Sequence, residues 1–136
     1  MCSVITEKMK DADALIVGTP VYYGQPNGGI LSLMQRLFFS AGHLVQNKPA
    51  AALAVCRRGG ATATLQTMNM MFEMMNMPVV TSQYWNIAYG AGKGEVKLDT
   101  RVCRPCARWP RTWPSCFKRS TPTAIPLPSA TSARHL

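Results

Sequence analysis

Two apolar runs of strand length mark the first half of the chain, and each ends in a glycine-broken turn that opens into a helical pattern. The first is Ala14-Leu15-Ile16-Val17-Gly18, with no polar alternation. A strand of that kind is expected to be buried on both faces, as in a parallel sheet covered by helices. Residues 51–56, Ala-Ala-Leu-Ala-Val-Cys, form the second run, and a shorter third strand is predicted at Pro78, Val79 and Val80, leading to Tyr84, Trp85 and Asn86. Residues 3–12 read as a helix with Ser3 as N-cap. Asn27 is placed to cap another helix, whose apolar residues Ile30, Leu31, Met34, Leu37 and Phe38 fall on one face at helical spacing. A further helix starts at Thr62 or Thr64 and runs to about Met75. Strand, loop and helix, repeated, predict right-handed βαβ units and an α/β doubly wound parallel sheet. Ligands of such sheets sit outside the carboxyl ends of the strands.

At 136 residues and 47% hydrophobic composition the chain has room for one domain with a real core. No run approaches the roughly eighteen uncharged apolar residues that cross a bilayer. The N-terminus carries neither a secretory apolar region nor a basic transit helix, so the cytoplasm is expected and no membrane partner is. The net charge of +9 divides unevenly: residues 1–98 carry eight Lys/Arg against five Asp/Glu, whereas residues 99–136 carry seven against Asp99 alone. Six of the ten prolines and three of the five cysteines also lie in that last stretch. The chain therefore divides into a domain over 1–99 and a Pro/Arg/Cys-rich irregular tail over 100–136.

Two loops fall at the expected ligand-binding edge. In Thr19-Pro20-Val21-Tyr22-Tyr23-Gly24, Pro20 holds Thr19 extended and Gly24 permits a sharp turn. Backbone N–H groups there are free for a ligand's acceptors, and the tyrosines offer flat faces suited to a planar heteroaromatic ring. A plain strand-to-helix connection with surface-packed tyrosines is the alternative. In Arg57-Arg58-Gly59-Gly60, two glycines before a helix allow close approach to an anion, and the arginines add positive charge that suits a reduced, anionic ring. A solvated basic turn is the alternative here. Neither a dinucleotide fingerprint nor a Walker loop is present. The methionines at 68, 70, 71, 74, 75 and 77 read as core and dimer interface rather than a metal set, and His43 as a residue placed at a helix C-terminus.

Three blocks, "GTPVYYGQPNGGILSLMQRLFFSAG", "NKPAAALAVCRRGGATATLQTMN" and "NMPVVTSQYWN", resemble the NAD(P)H-dependent FMN reductase group of the flavodoxin-like superfamily, in the branch that includes iron–sulfur flavoproteins. The likeness covers about residues 2–99. It implies that Thr19, Pro20, Val21, Tyr22, Tyr23 and Gly24 border the flavin ring of FMN, with Arg57, Arg58, Gly59 and Gly60 on its second side. It further implies NAD(P)H as hydride donor, a small-molecule electron acceptor such as a quinone, nitro compound or free flavin, and a homo-oligomer. The cofactor carries the chemistry, so no catalytic acid or base is demanded.

The family's opening strand and Gly-Ser-Pro-type phosphate loop have no counterpart before Met1. The expectation is therefore a partial flavodoxin-like sheet, with strands equivalent to 3, 4 and 5 of a 2-1-3-4-5 order and an exposed apolar edge. An inactive or weakly flavin-binding fragment, acting as an interaction protein through its Met-rich helix, is the competing expectation. Cys2 alone cannot hold an iron–sulfur cluster. In the tail, Cys103, Cys106, Cys116 and His135 raise zinc, and Arg/Trp interleaving raises nucleic acid. A frameshift is the sharper reading, and neither metal nor nucleic acid is expected. Tryptophan is TGG and proline CCN, so Trp109-Pro110 and Trp113-Pro114 read one base earlier become Leu, Met or Val followed by Ala. Compatible codons from Thr100 onward permit an amphipathic stretch similar to the family's final helix.

Overall fold

The computed structural model describes residues 2–82 and 84–99; the expectations for the tail lie outside the described residues. The order is α1 (Cys2–Asp11), β1 (Leu15–Tyr22), β2 (Gln25–Pro26), α2 (Gly28–Ala41), a 3-10 turn (Gly42–Leu44), β3 (Ala50–Cys56), α3 (Ala61–Met74), β4 (Ile87–Tyr89) and a second 3-10 turn (Glu95–Leu98). The strands lie in the order β2-β1-β3-β4. β1, β3 and β4 run parallel, with Leu15 opposite Ala50 and Ala54 opposite Ile87. Parallel neighbours need a crossover, which α2 and α3 supply.

The core lies on one face of this sheet. Val17 and Thr19 of β1 alternate with exposed neighbours, and the β3 residues opposite them, Ala52 and Ala54, are buried. Against that face pack Met9 of α1, Met34, Leu37 and Phe38 of α2, and Leu65, Met68 and Phe72 of α3. Phe38 and Phe72 meet edge to face with ring centroids 6.3 Å apart, a favoured aromatic geometry. The small alanines of β3 let α3 sit close over the sheet. Among the methionines, Met68 and Met77 are buried and Met71 and Met75 pack against the core, whereas Met70 and Met74 face outward.

Three expectations need correction. β1 is not buried on both faces: Ile16 is 55% exposed, with Gly18 and Pro20 on the same side, because the described helices all deliver their apolar residues to the opposite face. β3, which has no exposed residue, comes closer to the two-sided burial expected of it. Ser3 does not cap α1, which already includes it. The third strand forms at Ile87–Tyr89 and not at 78–80, where Val79 makes a single bridge to Ala50. Pro78 lacks an N–H for the ladder, and the chain loops out before regaining β3 at Ala54. By contrast, Asn27 caps α2 as its sequence position predicts, its Oδ1 accepting the Gly29 N–H at 2.9 Å. His43 lies in the 3-10 turn directly after α2. Among the described residues no helix is long and apolar enough to cross a membrane, and no three His, Cys, Asp or Glu side chains gather as a metal set.

Candidate functional site

β1 and β3 end side by side, so the loops that follow them share one edge of the sheet. The chain leaves β1 through a two-residue hairpin to β2, with Tyr22 opposite Gln25. Both central residues, Tyr23 (φ 51°) and Gly24 (φ 76°), have positive φ, as a type I′ turn requires. Gly24 takes this conformation freely. Tyr23 does not, and its ring is fully exposed, so packing returns nothing for the strain.

β3 ends in Cys56, and Arg57 to Gly60 turn the chain into α3. Gly60 caps that helix in the left-handed region (φ 84°) with no side-chain acceptor, and the helix has no acid in its first turn. The Ala61 N–H is taken by the Cys56 sulfur, but the next N–H groups of the first turn, those of Thr62 and Ala63, are open to a ligand's acceptor, and the helix dipole favours an anion there. A Cβ on Gly60 would stand 2.6 Å from Gly24 Cα, so the two loops touch through bare backbone. Between them lies a cleft of about 370 Å³, lined by Val21, Tyr23, Gly24, Arg57, Arg58 and Gly59, with Cys56 at its floor.

The ten residues singled out from the sequence thus have unequal places. Six line the cleft, and Gly60 forms its glycine contact. Thr19 is 2% exposed and braces the loop from inside: its Oγ1 accepts the Asn27 N–H at 3.0 Å and donates to the Pro20 carbonyl at 3.0 Å. Pro20 and Tyr22 are exposed and lie outside the lining. Sequence reading missed Cys56, assigned there to the strand alone. Burial pushes its thiol up from the ordinary value, while hydrogen bonds from the Ala61 and Arg58 backbone N–H groups work against this. The sulfur is therefore a neutral acceptor that ties the loop to α3, not a thiolate.

A sheet of parallel strands with ligand-sized loops at its carboxyl edge defines the flavodoxin-like α/β class, and solved structures agree. The Trp repressor binding protein from Bacillus subtilis matches with a TM-score of 0.66 at 19% identity, over 79% of this chain and 68% of that one. An NADH:FMN oxidoreductase in its apo form matches with a TM-score of 0.57 at 18% identity, over 99% and 64% of the two chains. The family model for NADPH-dependent FMN reductase matches residues 2–92, and the chain belongs to that family. An iron–sulfur flavoprotein of Methanocaldococcus jannaschii is 35% identical over 103 residues, 70% of this chain. The chain spans 53% of that relative's length.

Proposed function

We propose that the cleft between the Val21–Gly24 and Arg57–Gly60 segments holds the isoalloxazine ring of FMN, in an oxidoreductase that draws hydride from NAD(P)H. The observation that carries this reading is the glycine-to-glycine contact beside Tyr23. A turn pays backbone strain to hold an aromatic ring in solvent, at the lip of a cleft whose other wall is cationic. Its volume lies within the range of small-molecule sites, about 300–1,000 Å³. The residues present fit the ring: Tyr23 offers a face, bare backbone at Gly24 and Gly59 allows close approach, and Arg57 and Arg58 with the start of α3 favour negative charge on it. When bound, the flavin supplies two-electron transfer between the nicotinamide and a small-molecule acceptor. The chain's own work is to orient the ring and stabilise charge.

The cytoplasm, where nicotinamide nucleotides are supplied, is the proposed location, and a homo-oligomer the proposed assembly. The exposed Ile16 face of β1 favours a second reading, a weakly flavin-binding chain that acts through association. FMN titration followed by NADH or NADPH consumption separates the two. Saturable binding with turnover above that of free FMN supports the oxidoreductase; binding without turnover supports the second reading, and no binding overturns both flavin readings.

A further inference from the structure

Of the five asparagines in the chain, at 27, 47, 69, 76 and 86, Asn27 alone is followed by glycine. An Asn-Gly pair deamidates readily, because no side chain on the second residue hinders its backbone nitrogen from reaching the asparagine Cγ. Asn27 is half-buried at the junction of β2 and α2, whereas Gly28 and Gly29 are exposed. The Gly28 N–H stands at the first helical position, where it has no intrahelical partner. A Cβ on Gly28 would meet nothing within 4 Å, so the space around this peptide group is open.

The fold nevertheless holds the reacting atoms apart. The Asn27 ψ of 131° keeps the Gly28 nitrogen out of the eclipsed position over Cβ that ring closure needs. Asn27 Oδ1 accepts the Gly29 N–H at 2.9 Å, which fixes the carboxamide. The Asn27 carbonyl accepts the Leu31 N–H at 3.0 Å, so rotating ψ also breaks the first turn of α2. On the other side, the Asn27 N–H donates to the buried Thr19 Oγ1 at 3.0 Å, and that hydroxyl donates in turn to the Pro20 carbonyl.

We infer that Asn27 is a deamidation site held closed by its capping bonds, with the Thr19 hydroxyl as the latch. When the first turn of α2 opens, the Gly28 nitrogen gives up its proton and bonds to Cγ. The Cγ–Nδ2 bond breaks, Nδ2 takes a proton and ammonia leaves, which produces a cyclic imide. Water then opens the imide. Cleavage of the nitrogen–Cγ bond gives aspartate, and cleavage of the nitrogen–backbone carbonyl bond gives isoaspartate, whose main chain runs through Cβ. One water enters, one ammonia departs, and nothing is oxidised or reduced.

The two products affect the fold differently. Aspartate keeps an acceptor for the Gly29 N–H and adds negative charge at the start of a helix that has no acid in its first turn, a favourable place for it. Isoaspartate inserts an extra main-chain carbon between the Thr19 contact and the helix, and displaces the carbonyl that the Leu31 N–H uses.

The test follows the full chain in mildly alkaline buffer. Peptide mass spectrometry reads the amide-to-acid change, and isoaspartyl methylation reads the rearranged product. Modification is expected at Asn27 ahead of the other four asparagines, and about tenfold or more faster in denaturant than in the folded protein. Thr19→Val is expected to raise the folded-state rate about fivefold, whereas Thr19→Ser, which keeps the hydroxyl, restores the parental rate. Gly28→Ala, for which the fold has room, is expected to slow the reaction about tenfold or more, folded and denatured alike. Val45→Ala lowers overall stability from the far end of α2, where Val45 is fully buried, and is expected to leave the folded-state rate unchanged. Folded protein modified as fast as denatured protein, an unchanged rate in Thr19→Val, or equal acceleration in Val45→Ala overturns the inference.

Discussion

Gly24 and Gly60 meet backbone to backbone: a Cβ on Gly60 would lie 2.6 Å from Gly24 Cα and 3.1 Å from a methyl of Val21. The Gly60 φ of 84° adds a second objection to any side chain there. Gly60→Ala is therefore expected to destabilise the fold by about 1–3 kcal/mol and to part the two loops. Gly59→Ala is the control, because a Cβ at Gly59 meets nothing within 4 Å. Denaturant unfolding of the two variants should separate them clearly, with Gly59→Ala near the parent.

Tyr23 offers a test in which stability and binding move in opposite directions. Asn tolerates the left-handed conformation and suits the first central position of a type I′ hairpin. Tyr23→Asn is expected to raise stability by about 0.5–1 kcal/mol while weakening flavin binding. A variant that loses both would show that the tyrosine packs, contrary to its full exposure.

Thr19→Val keeps the shape and removes the hydroxyl that accepts the Asn27 N–H. The Asn27 N–H is part-buried, so leaving it without this partner costs about 1 kcal/mol, the low end for an unsatisfied donor. Loss of stability of that size, with faster amide exchange at the start of α2, is the expected outcome of unfolding and exchange measurements.

The 90–99 loop should respond to acid. Glu95 has its carboxyl lowered from the ordinary 4.5, chiefly by the Gly92 and Ala91 N–H groups. A lowered folded value means that this bracing is fully present above pH 4.5 and is lost as pH falls through the lower folded value. Amide exchange at Ala91 and Gly92, corrected for its intrinsic pH dependence, should accelerate below that point. In Glu95→Gln this acid response should disappear.

Much of the fold could be read from local pattern. The helical spacing of Met34, Leu37 and Phe38, with Asn27 before it, specified α2 because cap and apolar face agree. The shared edge of the Tyr23-Gly24 and Arg57–Gly60 loops was legible because each follows an apolar run of strand length and precedes a helical pattern, which puts both at the carboxyl ends of parallel strands. One-sided burial of β1 was not legible, since Ile16 and Val17 are equally apolar and only the placement of the helices distinguishes them. The shift of the third strand to Ile87–Tyr89 was hidden for a related reason: Val79 and Ile87 suit a strand equally, and the loop between them decides which pairs with Ala54. Cys56 and Glu95 entered the picture only through tertiary contact.

Ring recognition is the central claim, and lumiflavin tests it most directly because it carries the isoalloxazine without ribityl chain or phosphate. Titrating the protein into lumiflavin should quench its fluorescence saturably. The affinity should fall about tenfold or more in Tyr23→Ala and in Gly60→Ala, an effect the size of one lost stacking or hydrogen-bond contact, and amide shifts should centre on Tyr23, Gly24 and residues 57–60. Absence of saturable quenching, or quenching that both variants leave unchanged, would contradict the placement of a flavin ring between these two loops.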